Sequence, residues 1–361
     1  MITHLSQGGD VLCVRIQNTF GTTPPTIDAA TVGRGGHAAA ITGPVRAVTF
    51  GGRCHVVIPP GGEVWSDAAG LAARPQDDIA VSLSVVGTAT PGEHSTGLRT
   101  NCLSQAGSGD HTAEAGGDAY TQTVQSTYLV SAVDVRNTAL KGTIVTYGSS
   151  IVDGVGSTNC GRAAPKRQPT AAGRTTLRRI NREIPADRQL AVANAGISGT
   201  TSSAACPHMP DVAVGLDAAA RLERDVLALP GVTGVIYYYG TNDLADDCDA
   251  AQILASYRAV FQRLHTAGIK VYVTPITPRP GYTDQNNLDR HTVGSWVKKW
   301  NTCSGTCDGV PDVDQVIKDP LRPNSTNPVN DNGDGIHANI VGQQAIADFI
   351  SLPMLRSSTA L

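Results

Sequence analysis

The chain lacks the features that mark several functional classes. No apolar stretch approaches the roughly 18 residues that a membrane-spanning helix needs. Neither sign of charge prevails. With 28 Lys and Arg against 31 Asp and Glu, the net charge is −3, so nothing points to nucleic acid or an anionic membrane surface as a partner. The opening stretch, MITHLSQGGDVLC, has no basic segment followed by an apolar one, so no signal peptide is read in it. Lysine is scarce. The spacing of Cys303-Ser-Gly-Thr-Cys307 fits neither a C-x-x-C redox pair nor a zinc half-site, and no second pair completes a zinc set.

What is present is a globular composition, 40% hydrophobic and 16% charged over 361 residues. That length exceeds a typical single core, so two domains are expected. Eight cysteines stand at 13, 54, 102, 160, 206, 248, 303 and 307, beside plentiful Gly, Ser, Thr and Asn. An even count of this kind fits disulfides in an exported protein, with connectivity left open.

Residues 1–137 are expected to be all-β. "DVLCVRIQN" alternates with Leu12, Val14 and Ile16 on one face, and "RAVTFGG", "DIAVSLSVVG" and "TYLVSAVDVRN" are further short strands broken by Gly, Pro, Asn and Asp. Strands at this spacing predict a jelly-roll-like β-sandwich. The pattern changes for residues 138–361. "GTIVTYG", "QLAVANAG", "GVIYYYG" and "KVYVTPITP" read as strands. Helical patterns lie near Thr175 to Glu183, in "GLDAAARLERDVLAL", in "DAAQILASYRAVFQRLHTAG", around Val293 to Trp300 and around Val341 to Phe349. Alternating β and α elements predict a three-layer α/β/α domain on a parallel sheet. Sites in such sheets lie beyond the carboxyl ends of the strands.

The segments at that edge are polar or glycine-rich: "GSSIVDG" (148–154), "NAGISG" (194–199), "GTND" (240–243) and, before the last helix, "DGIH" (334–337). Together they hold the parts of a serine hydrolase. A hydroxyl at Ser149 or Ser150 is a poor nucleophile until a base takes its proton. His337 can supply the base, and Asp334, three residues away, can hold the other ring nitrogen. A tetrahedral oxyanion needs donors already aimed at it. The N–H of Ser150, the N–H of Gly196 and the side-chain amide of Asn242 are the candidates. Each residue also has a plain reading: a loop serine, a turn glycine, a capping asparagine, a structural histidine. "NDNGDG" (330–335) resembles the start of a calcium loop, but Val341 stands where its bidentate Glu belongs, so no metal is expected. Asp153 reads as a cap of the helix after the serines, Tyr237 to Tyr239 as strand core with Tyr239 a possible pocket residue, and His208 as a possible pocket edge.

The four segments, in this order, resemble the four blocks of the SGNH/GDSL hydrolase superfamily over roughly residues 140 to 350. The β-rich leading part ("GGDVLCVRIQNTFG", "PVRAVTFGG", "VVIPPGGEVWSD") resembles the first domain of a subgroup of its secreted bacterial members. The resemblance implies a flavodoxin-like α/β/α catalytic domain without cofactor, Ser150 as nucleophile, Asp334 and His337 completing the triad, and Ser150, Gly196 and Asn242 as oxyanion donors. It implies export, and an ester substrate that is a small molecule or polymer-borne: acylated carbohydrate, lipid or aryl ester. One departure is Ser149, where the family carries Asp; Ser149 is a possible pocket residue, and its effect on the turn is open. No G-x-S-x-G elbow occurs, which argues against an α/β-hydrolase. The expected activity is a serine esterase. An acyltransferase with the same triad, and a catalytically weak carbohydrate-binding or adhesive protein, are the alternatives.

Overall fold

A computed structural model describes residues 1–95, 97, 99–157 and 183–356. Cys160 and all but the last residue of the helix expected near Thr175 to Glu183 lie outside the described residues. The chain divides into two compact units, Met1–Thr138 and Ala139–Leu361.

The first unit is antiparallel β. One sheet runs in the order Ile2–His4, Asp78–Val86, Thr26–Gly35, Ile41–Ala47, with Val56–Val57 also paired to Thr26–Gly35. A second sheet places Leu12–Gln17 between Val130–Val135 and Glu63–Trp65. Alternation along the strands sends Leu12, Val14 and Ile16 from one sheet, and Ile27, Val32, Ile79 and Val81 from the other, into one apolar core. Small two-residue and three-residue strands pair separately at Glu93–His94 with Thr127–Tyr128, and at Asn101–Leu103 with Gln122–Val124. Among the described residues of this unit there is no helix.

The second unit is built on a four-stranded parallel sheet in the order Ala191–Gly196, Thr143–Gly148, Val232–Tyr238, Lys270–Val273. Period two splits its residues between two cores. Val145, Tyr147, Val235, Tyr237, Tyr239, Val271 and Val273 face one way, onto Leu222, Ile253, Tyr257, Phe261 and Val293. Ile144, Ile236, Tyr238 and Tyr272 face the other, onto Ile151, Val313, Ile317, Ile346 and Leu355. A parallel sheet covered on both faces explains why these strands read as continuous apolar runs rather than alternating ones.

The helices follow local signals. Asp249 and Gln252 form a reciprocal capping box at the start of Ala250–Thr266, and Thr283 and Asn286 form another at the start of Asp284–Lys298. The second helix begins nine residues before the expected Val293, because its first half, "DQNNLDRH", is polar and hides the helical period. The expected helix over "GLDAAARLERDVLAL" is Ala218–Leu222 followed by a wider turn at Glu223–Leu227. Among the described residues two disulfides are formed, Cys206–Cys248 and Cys303–Cys307, while Cys13, Cys54 and Cys102 carry free thiols. Cys206–Cys248 ties the loop after the second strand to the end of the short helix after the third.

Candidate active site

The first strand ends at Gly148, and the chain turns at once into a single helical turn, Ser150–Asp153. Ser149 is buried, and its carbonyl accepts the N–H groups of Val152 and Asp153 at 3.1 and 2.9 Å. The turn rests directly on the neighbouring strand. A Cβ added to Gly196 would lie 2.2 Å from the Asp153 nitrogen and 2.7 Å from its Cα, so only glycine lets the two backbones approach this closely.

Ser150 and His337, 187 residues apart in sequence, meet here: Ser150 Oγ lies 2.8 Å from His337 Nε2. The other ring nitrogen, Nδ1, is 2.7 Å from Asp334 Oδ2. Asp334 Oδ1 accepts the backbone N–H groups of Ile336 and His337, both at 2.8 Å. Partial burial opposes the charge on Asp334, but these N–H donors and the histidine ring outweigh it and hold the carboxyl below its ordinary pKa. The segment is fixed on both sides. Asn332 donates its N–H to the carbonyl of His337 at 2.9 Å, and Asn339, two residues after His337, caps the final long helix Ile340–Phe349. An ionised carboxylate on Nδ1–H leaves Nε2 as the acceptor toward the serine hydroxyl, the order needed for proton removal.

The second and third blocks form the adjoining rim. Ser198 donates its N–H and hydroxyl to Asp153 Oδ2 at 3.2 and 2.8 Å, which ties the second block to the serine turn. Asp153 therefore anchors a loop, rather than capping the helix whose last residue it is. Asn242 donates from Nδ2 to the Thr200 carbonyl at 2.9 Å, and its Oδ1 accepts from Arg279 Nη1 at 3.0 Å. Arg221 is wholly buried. It donates to the Thr200 hydroxyl at 3.1 Å and to the Ala195 carbonyl, pairs with Asp225 at 2.8 Å, and lies 5.0 Å from the centre of the Tyr147 ring. Asp243, fully buried, accepts the N–H groups of Ser202 and Ser203 at 2.9 and 2.8 Å. Burial raises its pKa to about 6 against the pull of those donors.

Three expected site residues are placed differently. The N–H of Gly196 is taken by Asn194 Oδ1 at 2.8 Å, so it is not offered to a substrate. Gly199, three residues on, has φ +81 and open space on its Cβ side, and its N–H has no partner among the described residues. Tyr239 is a core residue, its ring 5.4 Å from that of Tyr147 and 5.0 Å from that of Tyr237. His208 stands exposed, paired with Asp247 at 2.7 Å. In "NDNGDG" the Asn330 amide is directed at the Val316 carbonyl and Asp334 at His337, so these side chains do not converge as calcium ligands. Cys206, Asp243 and Cys248 cluster, but the two sulfurs are bonded to each other. Arg279, Arg221, Thr200 and Asp243 were not singled out by the sequence reading, since each acts through contacts distant in the chain.

The sequence profile of the GDSL-like lipase/acylhydrolase family matches residues 146–345. No curated protein matches the sequence. Among solved structures, similarity is found to a catalytic mutant of an acetylxylan esterase from Geobacillus stearothermophilus, at 17% identity and a TM-score of 0.42, covering 58% of this chain and 91% of that one. It is found also to a GDSL-like lipase from Bacteroides thetaiotaomicron, at 16% identity and a TM-score of 0.41, covering 60% of this chain and 89% of that one.

Proposed function

Because the chain belongs to the GDSL-like lipase/acylhydrolase family, we propose that it is a serine esterase that cleaves carboxylic esters through an acyl-enzyme. The observation that carries this reading is the unbroken pair of short hydrogen bonds, Asp334 to His337 at 2.7 Å and His337 to Ser150 at 2.8 Å. His337 Nε2 takes the hydroxyl proton as Ser150 Oγ bonds to the ester carbonyl carbon. The carbonyl π pair moves onto oxygen, and Asp334 stabilises the imidazolium. The tetrahedral intermediate collapses, the C–O bond to the alcohol breaks, and the imidazolium returns its proton to the leaving alkoxide. Water, deprotonated by His337, then attacks the acyl-serine, and Ser150 leaves with the proton.

The oxyanion is held by the N–H of Ser150, the N–H of Gly199 and the remaining Nδ2 hydrogen of Asn242. Gly199 replaces Gly196 in this reading because its N–H is open and its bare Cα lets backbone approach a substrate. Ser149, in place of the family's Asp, contributes its carbonyl to the turn and takes no part in proton transfer. The N-terminal unit is read as a β-sandwich accessory domain. Export is supported by the two disulfides.

A fluorophosphonate is expected to label wild-type protein at Ser150, and Ser150→Ala to abolish both labelling and ester turnover. Labelling at Ser149, or turnover by Ser150→Ala, overturns the assignment. Rates over acyl esters of increasing chain length, with acetylated sugars included and with a competing alcohol added, identify the acyl group and separate hydrolysis from transfer.

A further inference from the structure

The proposed oxyanion donor Asn242 is bracketed by two arginines. Arg221 holds Thr200 from inside the core, and the Thr200 carbonyl accepts one hydrogen of Asn242 Nδ2. From the other side Arg279, in the loop after the fourth strand, donates to Asn242 Oδ1 at 3.0 Å. A carboxamide has an accepting end and a donating end of nearly equal size, and rotation of the amide exchanges them. A guanidinium has donors only. The end of Asn242 that faces Arg279 must therefore be the oxygen, which places the NH2 on the Thr200 carbonyl, one residue along the chain from Gly199.

We propose that Arg279 is a positioning residue for the reaction, acting through Asn242; this rests on the esterase reading above. It does two things. It locks the amide so that the second Nδ2 hydrogen is presented to the oxyanion rather than the oxygen. It also draws electron density toward Oδ1 through a charge-assisted bond, which makes the N–H more positive and so a better donor to a charge that develops only in the transition state. Both effects belong to the transition state, so they act on kcat and leave KM nearly unchanged.

The test is steady-state kinetics on a short-chain aryl ester with wild type, Arg279→Ala, Arg279→Lys, Asn242→Ala and the Arg279→Ala/Asn242→Ala double variant, each with its thermal midpoint. Removing one oxyanion donor outright costs about 10²- to 10³-fold in kcat. Loss of its positioning partner is expected to cost less, about tenfold or more in kcat, with KM changed less than threefold. Lysine, also donor-only, is expected to recover part of the loss, and guanidinium ion added to Arg279→Ala likewise. In the Asn242→Ala background, Arg279→Ala is expected to have no further effect. An Arg279→Ala kcat within twofold of wild type, a loss confined to KM, or an equal further loss in the Asn242→Ala background overturns the proposal. If wild type itself neither turns over esters nor takes the fluorophosphonate at Ser150, the esterase reading fails and this inference with it. Active wild type with an indifferent Arg279 removes only the inference.

Discussion

Gly196→Ala tests the steric part played by a glycine packed against the turn that carries the proposed nucleophile. In this structure the N–H is already spent on Asn194, and the residue's part is steric. The added Cβ falls 2.2 Å from Asp153 N and 2.7 Å from the Val152 carbonyl carbon, both backbone atoms that no rotamer change can move. Ordinary contact begins near 3.4 Å, so the turn carrying Ser150 must move away from the strand by about 1 Å, a displacement that costs about 10²-fold when it misplaces a reacting group. It stretches the 2.8 Å bond from Ser150 to His337. Overpacking also lowers stability by about 1–3 kcal/mol. The assay is kcat on a chromogenic ester together with the second-order rate of fluorophosphonate labelling and the thermal midpoint. A fall of about 10²-fold in both rates, with a folded protein, is expected. Rates within threefold of wild type would refute the claim that the serine turn is seated on Gly196.

Further outcomes follow from Asp334, the buried Asp243 and the Cys206–Cys248 cross-link. Asp334 carries a depressed pKa, so its contribution is present above the ordinary carboxylate range and is lost only as pH falls below that range; activity measured down to about pH 5 is therefore expected to show no loss from Asp334 protonation. Asp334→Asn is expected to lower kcat by about 10⁴-fold, read as single-turnover acylation. Asp243 has the opposite sign: its folded pKa of about 6 exceeds the roughly 3.9 of an unfolded chain. The folded state therefore binds the proton more tightly, and this part of the stability is lost as pH rises from about 4 through about 6, at most about 3 kcal/mol. The stability difference between wild type and Asp243→Asn, followed from pH 4 to 7, should change across that window; a constant difference would rule out titration of Asp243. Replacing Cys206 and Cys248 with Ala releases a loop of separation 42 and is expected to cost about 4 kcal/mol in denaturant unfolding, with activity falling first because the cross-link borders the Thr200–Cys206 loop.

Much of the site was legible because its chemistry is concentrated in short blocks placed just after strands. Ser150, Asp334 and His337 come together at hydrogen-bond distance from positions that a strand-and-loop reading already singled out. The second block was harder. "NAGISG" holds two glycines, and sequence does not reveal that Asn194 folds back on its own backbone to occupy one N–H. "YYYG" posed a phase problem: three consecutive tyrosines fit a strand in either register, and only pairing with Tyr147 and Val273 sends Tyr237 and Tyr239 to one core and Tyr238 to the other. The arginines at 221 and 279 were invisible for a different reason. Their contacts to the site, Arg221 to Thr200 and Arg279 to Asn242, span 21 and 37 positions, and no periodicity marks a long-range hydrogen bond. In the first unit, alternation located Leu12–Gln17, Asp78–Val86 and Val130–Val135 but missed the long inner strand Thr26–Gly35, and the expected strand "RAVTFGG" overlaps the observed Ile41–Ala47 only at Arg46 and Ala47; pairing order came only from long-range registers such as Ile2 opposite Ala80.

The distance in sequence between Ser150 and its base has a consequence for biosynthesis. At about 5–20 residues per second, a ribosome makes Ser150 roughly 10 to 40 seconds before His337, from which it is separated by 187 residues. Through that interval the nascent chain carries Ser150 without its hydrogen-bond partner, and under the proposed triad hydrolysis begins only once the segment bearing Asp334 and His337 has docked. On the proposed esterase reading, the order of synthesis thus delays ester cleavage until the segment bearing His337 has been made.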